Sequence, residues 1–189
     1  MLKLDVTADV AKATEYLSDL AAKRIPDAAA KALTRTAFDA RDAVRDGLPE
    51  RFNLRRPWIS RGVVVTPAKP RTLMAEVWSR DRFMALQETG DTKTGKLAIP
   101  VGPMAQTAQT RVIPKSQWPG RLLAKKNVFY RAGAVFERRD EKRILALYLL
   151  RKQQKVEPRF GMADTVRSVA LKEYYRQMER ALREALTKG

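Results

Sequence analysis

The spacing of hydrophobic positions changes several times along the chain, and each change marks an element. Leu2, Leu4 and Val6 alternate with Lys3 and Asp5, the two-residue period of a short half-buried strand. Thr7 then stands at an N-cap position, and Val10, Ala13, Leu17 and Leu20 recur at helical spacing, which predicts an amphipathic helix ending near Lys23. Pro26 restarts the chain, because proline is tolerated in a first helical turn and breaks an interior, and Asp27 beside it suits the positive helix end. From Asp27 to Asp46 a second helix carries Ala29, Leu33, Ala37, Ala40 and Val44 on one face. So many alanines predict close packing, against a sheet or a second copy of the helix. Gly47, Pro49 and Asn53 mark its exit.

The middle of the chain turns to period two. Gly62 to Thr66 is β-branched and closed by Pro67 and Pro70, and Leu73 to Trp78 alternates, so a hairpin is expected through the turn Ala68 to Arg71. Asp81 to Thr89 reads as a short helix capped by Asp81, held by Phe83, Leu86 and Met84, and stopped by Gly90. A polar flap and a buried strand, Leu97 to Val101, follow. The stretch from Gly102 to Gly120, with Pro103, Pro114 and Pro119, reads as a long irregular connection in which Arg111 to Ile113 adds one strand. Short strands are expected at Val128 to Tyr130 and Ala134 to Glu137 around Gly133. Beyond a charged turn, Arg138 to Arg143, lies Ile144 to Leu150, the most hydrophobic strand of a meander.

After Pro158, Phe160 and Gly161 a final helix is predicted with Asp164 as its cap. Val166, Ala170, Tyr174, Met178, Leu182 and Ala185 line one face, with Arg167, Lys172, Arg176, Arg180 and Arg183 around the remainder. Such a helix is expected on its own sheet with its charges in water. The fold class expected is α+β: an antiparallel or mixed sheet packed against long N-terminal helices and a C-terminal amphipathic helix. Residues 1–189 are expected to form a single domain with extended arms at about 90–96 and 102–120.

Composition narrows the chemistry. The chain of 189 residues has no cysteine and no histidine, which removes thiolate ligands, disulfides and the commonest general base near neutral pH. Its 38 Lys and Arg face 21 Asp and Glu, a net charge of +17. Residues 111–189 hold 20 basic and 8 acidic side chains, against 18 and 13 in residues 1–110. A field of this sign attracts nucleic acid, an acidic protein or an anionic membrane, and repels further copies unless an anion is near. No stretch reaches the ~18 uninterrupted apolar residues of a membrane span, and no signal-peptide run opens the chain, so an intracellular protein without membrane contact is expected.

Candidate motifs are few. Glu76, Asp81, Glu88 and Asp91 with Lys93 contain the residue types of a metal-dependent nuclease, but such a site needs carboxylates on rigid strands and only Glu76 is expected on one. Gly90 and Gly95 flank Asp-Thr-Lys-Thr, yet Lys96 is followed by Leu97 instead of the Ser or Thr of a phosphate-binding P-loop. Trp58, Trp78, Trp118, Phe83, Phe129, Tyr130 and Phe136 lie among basic residues, as in a single-strand groove, although packing is the commoner use of such side chains. No catalytic residue, metal site or cofactor follows from this inventory. The expectation is a protein that is not an enzyme.

Several segments read in order carry a resemblance. They are Ile25 to Ala30 leading into Thr34-Arg35-Thr36-Ala37, then Arg51-Phe52-Asn53-Leu54, Ser79 to Gly90, Leu97-Ala98-Ile99-Pro100, Ile113-Pro114-Lys115, and Lys155 to Gly161. Together they resemble the lambda-type minor tail protein Z and related tail-completion or neck proteins of tailed bacteriophages. The resemblance implies a structural subunit of the virion, assembled in the host cytoplasm, in a hexameric ring at the head-proximal end of the tail. It would act in tail completion or head–tail joining, with other tail or neck proteins and DNA in the lumen as partners. On that reading Asp91, Thr92, Lys93, Lys96, Gln106, Gln109 and Trp118 belong to inter-subunit arms, and Arg121, Lys125 and Lys126 face DNA or another anion. The alternative is a basic nucleic-acid-binding protein or a metal-dependent nuclease.

Overall fold

The computed structural model describes residues 17–187 together with Lys12, Thr14 and Glu15. The strand expected at Leu2 to Val6, its neighbour Thr7, and Val10 and Ala13 lie outside the described residues. In chain order the elements are α1 (Ile25–Arg51), α2 (Trp58–Gly62), β1 (Val63–Thr66), β2 (Glu76–Ser79), α3 (Arg82–Thr89), β3 (Asp91–Pro100), α4 (Gly102–Thr110), α5 (Pro119–Leu122), β4 (Val128–Arg131), β5 (Ala134–Arg138), β6 (Ile144–Val156) and α6 (Met162–Thr187). The fold is α+β with antiparallel sheets, as the hydrophobic pattern predicts.

Near Lys23 the first helix does not stop. Leu20–Arg24 forms a π-helical turn that runs into α1, and the flanking Asp19 and Ile25 both keep right-handed helical angles. Pro26 accounts for the widened turn: its ring lacks an N–H and crowds the carbonyl four residues back, and a π turn relieves both problems without ending the helix. The far end of α1 also outlasts its expected exit, running through Gly47 and Pro49 to Arg51. Val44 and Leu48, both fully buried, hold that end; each contributes about 1.5–3 kcal/mol by leaving water.

The chain divides into two compact units. Unit 1 comprises residues up to Leu48, Trp58–Asp81 and Gly161 onward. Its centre is the contact of α1 with α6, where Ala28, Ala32 and Ala181 are almost fully buried and Tyr174, Met178, Leu182 and Ala185 pack around them. The helix expected on a sheet therefore packs on a helix. The alanine stripe is the cause, since small side chains let two backbones approach and interdigitate. In the seam buried Thr36 donates to the Ala32 carbonyl at 2.9 Å and the Gln177 amide donates to Asp39 at 2.8 Å, while the Gln177 Oε1 is buried without a partner among the described residues. Arg35 donates both ends of its guanidinium to Glu184, at 2.8 and 3.1 Å. The expected hairpin is present, with Val63↔Ser79 through Thr66↔Glu76 in register. Two bonds fasten it to α1: Arg45 donates to the Val63 carbonyl at 2.7 Å and the Ala68 N–H to Thr34 at 3.0 Å.

Unit 2 comprises Pro49–Pro57 and Arg82–Phe160 and contains a four-stranded antiparallel sheet in the order β3-β6-β5-β4. Leu122, Val128, Val135, Leu147 and Tyr148 form its core, with Met104, Ile113 and Leu150 against them. In α3 it is Met84 that is buried, while Phe83 stays 45% exposed, so the expected anchoring by Phe83 is corrected to Met84. Both stretches expected as arms lie in unit 2 as regular structure. Residues 91–96 are not a flap but the first part of β3, paired from Asp91↔Val156 to Thr94↔Gln153. Their partner, β6, continues past its hydrophobic run as Arg-Lys-Gln-Gln-Lys, and two polar strands offer no hydrophobic period to detect. Residues 102–120 hold α4, a single 3-10 turn at Lys115–Gln117 and α5, with no strand at Arg111 to Ile113. Pro103 and Pro119, which look like breakers, stand in the first turns of α4 and α5, where the missing N–H costs nothing.

Candidate interaction surfaces

Charge is divided unequally between the units. Unit 2 holds 20 Lys and Arg against 7 Asp and Glu, net +13, whereas unit 1 holds 18 against 14, net +4. In unit 1 several cations meet carboxylates, among them Arg35 with Glu184, Arg41 with Asp42, Arg176 with Glu173, and Arg183 with Glu179. The Arg35–Glu184 pair raises the arginine and holds the Glu184 carboxyl below the usual carboxylate range, chiefly through the side-chain hydrogen bond. In unit 2, Arg139 meets Glu137 at 3.1 Å. Among the described residues, Lys93, Lys96, Arg151, Lys152 and Lys155 meet no carboxylate.

Those five cations share one ribbon. Pairing of β3 with β6 brings Lys93 opposite Gln154 and Thr92 opposite Lys155, joining residues about sixty apart in sequence. Between Thr94 and Leu97 the register shifts; Gly95 there has φ +127° with nothing near it, the backbone of a β-bulge. At one end of the ribbon Gly90 turns the chain with φ +70°, close to Pro158. Gln87 of α3 then accepts the N–H groups of both Arg159 and Phe160 on its carbonyl, at 2.8 and 2.9 Å. Here a groove of about 690 Å³ opens, lined by Lys93, Lys96, Lys155 and Arg159 with Gln87 and the one carboxylate Glu157. Arg159 is held in place, its Nε donating to Gln87 Oε1 at 3.2 Å and its guanidinium lying 5.2 Å over the Phe52 ring. That ring packs edge-on against buried Phe160, whose carbonyl accepts from Arg51.

Of the residues that sequence nominates as arms, Asp91, Thr92, Lys93 and Lys96 are exposed on β3, an edge strand. Lys93, Lys96, the bulge and Pro100 blunt that edge, features that oppose pairing with a further strand. Gln106 and Gln109 are exposed on α4, and Trp118 is 52% exposed between the 3-10 turn and α5. The 3-10 turn is tied to the sheet by the Tyr148 hydroxyl, which donates to the Gln117 carbonyl at 2.9 Å; burial pushes the pKa of that hydroxyl up. Arg121, on α5, and Lys125 and Lys126 after it are exposed. Sequence reading missed Arg159, which its bonds to Gln87 bring to the groove of Lys93 and Lys96; Lys155, opposite Thr92, has its side chain on the other face of the ribbon from Lys93.

Unit 1 carries a different surface. Leu33, Ala37 and Ala40 of α1, Val77 of β2, and Ala170 and Tyr174 of α6 line an apolar groove of about 380 Å³. Leu171 and Tyr175 stand at its rim, 74% and 80% exposed. Among the described residues no cluster of three carboxylates could hold a metal ion, and no helix is long and apolar enough to cross a membrane. Compared with known protein families, characterised proteins and solved structures, the chain matches none. Its functional reading therefore rests on its own surfaces and on the segment resemblance described above.

Proposed function

We propose that this protein is a structural subunit of a phage tail, acting in tail completion or head–tail joining as a hexameric ring close to the DNA path. The observation that carries the reading is the division of charge: unit 2 presents +13 with little internal compensation, and unit 1 has several of its cations paired and carries an open apolar groove. An uncompensated cationic surface belongs beside a polyanion. Copies of unit 2 repel one another, so contact between copies falls to unit 1, where a second copy of this chain covers the groove rimmed by Leu171 and Tyr175. Gln106, Gln109 and Trp118 remain available to neighbouring subunits or other tail proteins. Asp91, Thr92, Lys93 and Lys96 fit strand-to-strand contact between copies poorly, because their edge is charged and bulged.

Light scattering on the full chain and on a Leu171→Glu, Tyr175→Glu double variant tests this. The expected outcome is an oligomer for the parent chain and a lower mass for the variant, with helical circular dichroism unchanged. An unaltered oligomer in the folded variant would remove the groove from the interface. A parent chain that is monomeric and cleaves DNA with added magnesium would favour the nuclease alternative instead.

A further inference from the structure

We propose that the groove formed by β3, β6 and the Glu157–Arg159 segment binds the phosphate backbone of duplex DNA, with Lys93, Lys96 and Arg159 as the phosphate contacts. This deepens the proposed role by naming the polyanion and the residues that meet it, and it rests on that role only for the presence of DNA. Lys93, Lys96 and Arg159 line the groove with a single carboxylate, and Lys93 and Lys96 have no ion-pair partner among the described residues; Lys155, opposite Thr92, has its side chain on the other face of the ribbon from Lys93. Arg159 is already fixed by Gln87 and Phe52, so little side-chain freedom is lost when it meets a phosphate.

The lining selects the kind of polyanion. None of the lining residues is aromatic, so no stacking platform exists for the splayed bases of a single strand. Two of the three contacts are lysines, which act as point charges on phosphate oxygens and read no base sequence. Lys93 and Lys96 stand roughly 10 Å apart along β3, a length over which a duplex presents roughly six phosphate charges. An acidic protein surface would offer far fewer carboxylates in that length, and rarely in a line. This site differs from Arg121, Lys125 and Lys126, which lie on α5 and the turn after it.

The measurement is the affinity for a short mixed-sequence DNA duplex across a salt series, on the full chain and two variants. Three phosphate contacts give a slope of log K against log salt near −2.7, about a fortyfold loss between about 50 and 200 mM salt. Lys93→Gln with Lys96→Gln should reduce that slope by about 1.8, whereas Arg121→Gln, Lys125→Gln and Lys126→Gln together should leave it in place. An unchanged slope in the first variant overturns the proposal, as does an equal fall in both, which would mean diffuse attraction. Tighter binding of single-stranded DNA, or equal competition by polyglutamate, would also overturn it. Particle mass, measured on the same samples, reports on assembly separately: a monomer with the predicted slopes contradicts the ring and leaves the groove standing.

Discussion

At the scale of residues, two contacts make the most specific claims. Gly90 holds φ +70°, and a Cβ there would lie 2.8 Å from Pro158 and 3.1 Å from the Val156 carbonyl. Gly90→Ala therefore combines left-handed strain with a collision against the end of β6, and should destabilise the chain by about 1–3 kcal/mol, read as a lower melting temperature. Arg35 and Glu184 give a pH-dependent contribution. Because the folded-state pKa of Glu184 is lowered, its stabilisation is present above the ordinary carboxylate pKa and is lost as pH falls through the lowered value. Glu184→Gln should lower the melting temperature at neutral pH and flatten its fall toward acid; an identical acid profile in the variant would show the pair to be inert. The stop at Gly90 was legible in sequence, as glycine after a helical run. The Arg35–Glu184 pair was not, because its partners lie 149 residues apart and each resembles any other charge on an amphipathic helix.

Elements were readable wherever a hydrophobic period persisted, and unreadable where polar strands paired with each other. The β1–β2 hairpin, β4, β5 and the apolar half of β6 follow from alternation and turn residues. The polar half of β6 and residues 91–96 of β3 do not, because each is a strand only by virtue of the other. That pairing also explains why removing 91–95 cannot be treated as trimming a loose flap: it takes away the ladder from Asp91↔Val156 to Thr94↔Gln153. In unit 1 the alanine stripe was visible, though not which element would fill it. Ala32 is fully buried in the seam with α6, so Ala32→Leu should overpack it and cost about 1–3 kcal/mol in a chemical unfolding series. In unit 2 the Tyr148 hydroxyl ties the 3-10 turn to the sheet, and Tyr148→Phe should cost about 0.5–1.5 kcal/mol by leaving the Gln117 carbonyl without that donor.

For the whole molecule, net charge was legible from composition but its placement was not. The sequence halves suggest an excess in the C-terminal part, yet α6 carries its own carboxylates, and the true boundary follows the units: +13 against +4. The cation groove arises only when the chain beyond β6 returns Arg159 to the side of Lys93 and Lys96. An apolar groove on the less charged unit and a cationic groove on the other suit a subunit that packs on copies of itself through one and meets DNA through the other. The most direct test of that account is the mass of the full chain in solution, with and without duplex DNA. The account predicts a closed assembly of six 21.4 kDa chains, reached alone or on adding duplex. A particle that stays at the mass of one chain under both conditions would contradict it.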